Sequence, residues 1–111
     1  AEGLTARTLA GQFNAQASLP DHVWVVDEGV GSLVFYLRPE LRRGLHARQI
    51  RRISRFSTPD LIRESSDGVI AIAPDRVDGL AEIVDLDGMP RPTGGRFMLI
   101  PRAALRVKEP R

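Results

Sequence analysis

The sequence of 111 residues contains no cysteine. Disulfide scaffolds, thiolate metal sites and thiol catalysis are therefore excluded. Aromatic residues make up only 5% of the chain, and lysine occurs once, at Lys108. No apolar run approaches the roughly 20 residues that a membrane-spanning helix needs, so we expect no membrane span.

What the chain does contain is typical of one globular domain. Its composition is 42% hydrophobic and 27% charged, which argues against disorder over most of its length. A chain of this size usually forms a single domain with a modest core. We therefore predict one domain over residues 1–111, with a frayed tail at 108–111.

Charge is distributed unevenly along the sequence. The pI is about 9.9, but the formal net charge is only +2. Seven arginines and one acid lie between Arg38 and Phe56, whereas acidic residues predominate from Asp60 to Asp87. A small protein that is polarised in this way often binds a partner.

The N-terminal half predicts a helix, a hairpin and a basic helix. Apolar residues four apart indicate an amphipathic helix over 4–17. Two apolar, β-favouring runs around a glycine-containing turn predict a hairpin over 22–37. Pro39 is suited to open a helix that carries the arginines. A break near Gly44, followed by a strand over 47–56, is the alternative.

The C-terminal half predicts shorter elements. Thr58 is a good N-cap for a short helix. Strands are expected near 69–73 and 96–100, each closed by proline, while 80–86 fits a helix or a strand. We predict an α+β fold with a mainly antiparallel sheet and two or three short helices.

No catalytic constellation is present. The chain lacks a Gly-x-Ser-x-Gly elbow, a Ser-x-x-Lys pair and a His-Glu-x-x-His motif. His22 and His46 have no neighbouring ligands at metal spacing. Gly94 and Gly95 lie in a loop before a predicted strand, not in the strand-to-helix context of a phosphate loop. We expect no enzyme activity, no metal and no cofactor.

Three segments of the C-terminal third read Asp-Gly-Val-Ile-Ala-Ile-Ala-Pro at 67–74, Gly-Leu-Ala-Glu-Ile-Val-Asp at 79–85 and Arg-Pro-Thr-Gly-Gly-Arg-Phe-Met-Leu-Ile-Pro at 91–101. Together they resemble the ending of tail-completion and virion-morphogenesis proteins of tailed bacteriophages. Met89-Pro90 and the predicted hairpin depart from that family. The resemblance implies a non-enzymatic protein that joins a ring at the head–tail junction.

The segment Arg51-Arg52-Ile53-Ser54-Arg55 contains an Arg-x-x-x-Arg motif. This is a fainter resemblance, to PilZ domains, which bind cyclic di-GMP through arginines. Their second motif would fall at 85–90, where aspartate replaces serine and proline replaces glycine. That change puts an acid where a phosphate should lie.

We therefore expect an assembly or interaction protein, cytoplasmic or part of a virion, that associates with itself or with other assembly proteins. A nucleic-acid-binding or cyclic-dinucleotide-binding module is the alternative, because clustered arginines can neutralise phosphates. The helix interpretation places Arg48, Arg51, Arg52 and Arg55 on one side. The predicted interaction face comprises Arg42, Arg43, Arg48, Arg51, Arg52, Arg55, Arg91 and Arg96.

Overall fold

The computed structural model describes residues 2–46, 49–64 and 67–108. Its α-helices are α1 (Glu2–Asn14), α2 (Leu33–Tyr36), α3 (Pro39–Arg42), α4 (Thr58–Glu64) and α5 (Val77–Ala81). Its strands are β1 (Val23–Val26), β2 (Ile50–Ile53), β3 (Val69–Ile72), β4 (Val84–Asp85), β5 (Met98–Pro101) and β6 (Arg106–Val107). Short 3₁₀ turns occupy Arg55–Ser57, Pro74–Arg76 and Arg102–Ala104.

The main sheet has the strand order β2-β1-β3-β5. Strand β1 pairs in parallel with both neighbours, Val23 lying opposite Ile50 on one side and opposite Val69 on the other. Strand β5 pairs antiparallel with β3, and β4 pairs antiparallel with β6 in a small second sheet. The α+β class is confirmed, but the main sheet is mixed rather than mainly antiparallel, since two of its three pairings are parallel.

Both faces of the main sheet are covered, because successive side chains of a strand point to opposite faces. On one face, Val23 and Val25 pack with residues of α1, α2 and α3 in a first core cluster. On the other face, Val26, Ile70 and Ile72 pack with α5 and the second sheet in a second cluster. The apolar runs of β1 and β3 are continuous for this reason.

The predicted hairpin over 22–37 is wrong. Its first half is β1, but residues 33–36 form helix α2, and the neighbours of β1 are β2 and β3. Leu33 and Leu37, four residues apart, are buried, whereas Phe35 is 75% exposed. That spacing is helical, and α2 and α3 supply the crossover that the parallel pairing of β1 and β2 requires.

The long basic helix is also wrong, and the alternative with a break near Gly44 is the correct one. Helix α3 ends at Arg42, and β2 follows at Ile50–Ile53. The three-residue spacing of Ile50 and Ile53 fits a strand because each side chain meets a different core cluster. Residues 47 and 48, where the alternative strand would begin, lie outside the described residues.

Several of the other predicted elements are confirmed. The first helix and the strands near 69–73 and 96–100 are present, and 80–86 contains both the end of α5 and strand β4. Helix α4 starts at Thr58, but the Thr58 hydroxyl donates to the carbonyl of Ser54 instead of capping. Five α-helices, more than the two or three expected, occur in the described residues. Of the predicted frayed tail, only Lys108 is described, and its backbone N–H donates to Ile83 O at 2.9 Å.

Candidate interaction site at the open edge of the sheet

Strand β2 forms one edge of the main sheet and offers hydrogen-bonding groups to solvent. The carbonyls of Gln49 and Ile53 accept bonds from the backbone N–H groups of Val23 and Asp27. These carbonyls therefore face β1. Because a parallel strand alternates the side to which its peptide groups point, the N–H and C=O groups of Ile50 and Arg52 face outward. Such a row can pair with another strand.

The side chains of β2 alternate in the same way. Ile50 and Arg52 lie on the face of the first core cluster, whereas Arg51 and Ile53 lie on the face of the second. Both isoleucines are half-buried and both arginines are exposed. The predicted single stripe of arginines at helical spacing is therefore wrong, because Arg51 and Arg52 point to opposite faces.

Asp27 partly neutralises this edge at the carboxyl end of β1. It adopts a left-handed backbone conformation, with φ of 55°. Its Oδ1 accepts a bond from the backbone N–H of Arg55 at 3.4 Å and lies 3.7 Å from Arg52 Nη2. The Arg52 side chain is 55% exposed, so this ion pair contributes little. Within the described part of the chain, no carboxylate lies at ion-pair distance from Arg51.

Arg55 and Phe56 extend the edge beyond β2. The Arg55 guanidinium carbon lies 4.7 Å from the centre of the Phe56 ring, and Phe56 is 69% exposed. Arg55 also packs on α5, since a Cβ at Gly79 would lie 2.8 Å from Arg55 Nη1. Arginine and aromatic side chains, phenylalanine included, are enriched at protein–protein interfaces. Arg55 is therefore anchored, while Phe56 is available for contact.

A small pocket lies beside the amino end of β2. It has a volume of about 270 Å³ and is lined by Val34, Arg42, Leu45, His46 and Ile50. Three of the five lining residues are aliphatic, and the other two supply polar atoms. This combination can take an apolar side chain next to a charged or polar one.

The other residues of the predicted face are distributed as follows. Arg43 directly follows α3 and is exposed, and Arg48 lies outside the described residues. Arg91 and Arg96 lie in the loop before β5, on the opposite edge of the sheet, and line a pocket with Met98. Arg91 Nη2 is 2.9 Å from Asp78 Oδ1. Arg42, Arg51, Arg52 and Arg55 therefore lie along the edge that β2 forms, on both faces of the sheet. Arg91 and Arg96 lie apart from them, at the opposite edge.

Two side chains with structural roles near the edges of the sheet, Asp27 and Gln12, were not identified from the sequence. An aspartate directly after a buried strand was the available signal for Asp27, since aspartate tolerates left-handed backbone better than most residues. Gln12 of α1 binds the backbone of Phe97, the residue directly before β5: its amide accepts from Phe97 N–H at 2.7 Å and donates to Phe97 O at 2.9 Å. Nothing local in the sequence indicates that long-range contact.

A second charged group lies where β1 and β3 end. Arg76 Nε donates to Glu28 Oε1 at 3.1 Å, and this hydrogen bond raises the pKa of the Arg76 guanidinium. Glu28 also lines a cleft of about 450 Å³ together with Asp75 and the glycine loop. Two carboxylates on one cleft disfavour the anion that the glycines could otherwise bind.

The two histidines lie at the other end of the sheet, where His22 stacks on the single tryptophan. His22 stacks on Trp24 with 5.4 Å between ring centres, and His46 meets His22 edge-on at 6.1 Å. Arg102 packs on Trp24 at 4.5 Å, and burial lowers the pKa of its guanidinium. In the described ranges, no three metal-ligating side chains cluster closely enough to hold an ion.

Comparison of the chain with protein-family models, with curated proteins and with solved structures finds no match. Among the helices formed by the described residues, none combines the length and the apolar character needed to cross a bilayer. The resemblances to phage tail-completion proteins and to PilZ domains stay predictions.

Proposed function

We propose that this protein is a non-enzymatic interaction module that binds an acidic, extended segment of another protein as an added strand along β2. The observation that carries the proposal is the outward row of backbone groups at Ile50 and Arg52, flanked by exposed arginines. Strand addition takes affinity from such backbone bonds and specificity from neighbouring side chains. Arg51 and Arg52 supply charge complementarity to an acidic segment.

A second copy of the chain fits this edge poorly, although self-association was one of the expectations from the sequence. Antiparallel pairing of two β2 strands, in any register centred on the strand, places an arginine opposite an arginine. Like charges directly opposite each other destabilise a sheet, and charged side chains are a common protection of edge strands. A different, acidic partner is therefore favoured over a homo-oligomer.

The proposal belongs to the assembly class that the phage resemblance implies, and it carries the expectation of a location in the cytoplasm or in a virion. Nucleic acid is the competing partner for clustered arginines. The mixed character of the edge, with Ile50, Ile53 and Phe56 interleaved among the charges, supports a peptide over a phosphate backbone.

Fluorescence anisotropy with two labelled probes tests this proposal. One probe is a peptide of alternating valine and glutamate, and the other is single-stranded DNA of equal net charge. We expect the peptide to bind more tightly than the DNA. Arg51→Glu combined with Arg52→Glu should weaken peptide binding by about tenfold or more, since the arginine that shares a face with the glutamates becomes repulsive and the net charge of the edge is reversed.

The matched control is Arg91→Glu combined with Arg96→Glu, which makes the same change in net charge on the opposite edge of the sheet. This control should retain peptide binding to within about a factor of two or three, because distant exposed charges act weakly. Equal loss in both variants would show attraction by net charge alone and would contradict the proposal. Tighter binding of DNA than of peptide would assign the arginines to nucleic acid instead.

A further inference from the structure

Resting on the proposed function, we infer that the segment bound along β2 carries the four-residue pattern apolar–acidic–acidic–apolar. Strand β2 reads Ile-Arg-Arg-Ile, and each of its side chains has a definite face of the sheet. An added strand places one side chain beside each of these, on the same face. The strand that best complements Ile-Arg-Arg-Ile is therefore defined by the order of its residues, and not only by its net charge.

The apolar positions of the pattern follow from the two isoleucines. Ile50 lines the pocket of about 270 Å³ with Val34 and Leu45, on the face of the first core cluster. An apolar side chain opposite Ile50 would enter this pocket. Ile53 is half-buried against the second core cluster, on the other face. An apolar side chain opposite Ile53 would cover the part of it that remains exposed.

The acidic positions follow from the two arginines between them. Arg51 has no carboxylate at ion-pair distance within the described residues, and Arg52 has only Asp27, at 3.7 Å. One acid of the segment would meet Arg51 on one face, and the next would meet Arg52 on the other. Two adjacent acids are thus required, since a single acid can reach only one of the two faces.

The pattern also leaves the direction of the bound strand open. Read backwards, apolar–acidic–acidic–apolar is the same pattern, so parallel and antiparallel addition satisfy the same four contacts. The outward groups of Ile50 and Arg52 can bond a strand of either direction. The protein should therefore distinguish between segments by the order of their side chains, whichever direction the bound strand runs.

Two peptides of identical composition test the inference on the wild-type protein. One carries Ile-Glu-Glu-Ile and the other carries Glu-Ile-Ile-Glu, within the same serine and threonine flanks. Binding is measured by anisotropy with a label on the flank. We expect the first peptide to bind about tenfold more tightly, because the second loses all four favourable cross-strand pairs in the same register and keeps at most two of them in a shifted register.

The outcomes separate this inference from the proposed function. Equal affinity for both peptides, abolished in the Arg51→Glu, Arg52→Glu variant, would overturn the pattern while leaving binding of acidic segments at this edge intact. Binding of neither peptide, and none of the alternating valine–glutamate peptide, would overturn both. A preference for Ile-Glu-Glu-Ile supports the inference, and it does not depend on any variant folding.

A charge-exchange experiment gives a second readout. The Arg51→Glu, Arg52→Glu variant should lose binding of the Ile-Glu-Glu-Ile peptide and gain binding of an Ile-Lys-Lys-Ile peptide. A Lys-Ile-Ile-Lys peptide is the control of equal composition. Circular dichroism shows whether the variant is folded. A folded variant that prefers Lys-Ile-Ile-Lys, or binds both lysine peptides equally, would contradict the assigned contacts.

Discussion

Replacement of Gly68 by alanine should destabilise the protein strongly, because this glycine lies where three strands and the tryptophan meet. Its φ is +94°, a backbone conformation that residues with a Cβ rarely adopt. A Cβ there would overlap the Trp24 ring and lie 2.6 Å from His22 O. That carbonyl accepts the N–H of Val69, and Gly68 O accepts the N–H of Arg102. The backbone is therefore held on both sides.

The size of the effect follows from two costs. Strained backbone costs about 1–3 kcal/mol, and overpacking costs about 1–3 kcal/mol. The Trp24 ring cannot easily give way, because His22 stacks on it and Arg102 packs against it. We expect a loss of about 3 kcal/mol in the free energy of unfolding, a large share of the 5–15 kcal/mol typical of a domain.

Urea unfolding followed by tryptophan fluorescence measures this loss, since Trp24 is the only tryptophan and lies at the altered site. With an m value of about 1.5 kcal/mol/M, the midpoint should fall by about 2 M. Gly44→Ala is the matched control, because a Cβ there meets nothing within 4 Å and its φ is not positive. If the free energies of the two variants agreed within about 0.5 kcal/mol, the assigned backbone conformation and packing at Gly68 would be refuted.

Two further substitutions test the opposite edge and the end of β1. Gln12→Ala removes both bonds to the backbone of Phe97 and should cost about 1–3 kcal/mol, with faster amide hydrogen exchange at Phe97. The exposed Gln16→Ala is its control, and equal losses in the two variants would contradict the edge contact. Asp27→Ala should cost about 1–2 kcal/mol in thermal or urea unfolding, because alanine is strained in left-handed backbone. Asp27→Asn should cost less, and equal losses from both changes at this position would show that backbone strain is not the cause.

Elements defined by local pattern were predictable from the sequence, and elements defined by distant partners were not. The strands near 69–73 and 96–100 are short apolar runs closed by proline, and both are present. The hairpin failed because β1 takes its partners from residues 50–53 and 69–71. An apolar run such as 33–37 fits a buried strand or a buried helix equally well. Only the parallel pairing of β1 and β2, which needs a crossover, decides for the helix.

The candidate site was predictable in composition but not in geometry. Arg51 and Arg52 were assigned to the interaction face from charge alone, and both are exposed. Their arrangement depended on whether 50–53 is helical, and the three-residue spacing of Ile50 and Ile53 does not separate the alternatives. In a sheet covered on one face only, one of these isoleucines would face solvent. In this fold each isoleucine packs against a core cluster on its own face of the sheet. That the sheet is covered on both faces is a property of the whole fold and cannot be read from residues 50–53.

The two edges of the main sheet are protected by different means, and the difference bears on function. Directly before β5, Gln12 satisfies both backbone groups of Phe97, so the chain is closed at that residue by two bonds to α1. At β2, the exposed side chains of Arg51 and Arg52 repel a second β2 strand from the outward backbone groups of Ile50 and Arg52. Charge repels a second copy of the same strand but attracts an acidic one, and the strength of both effects falls as salt rises. The protection of β2 by charge is therefore selective, and raising the ionic strength should weaken binding of an acidic strand while reducing the penalty for self-pairing.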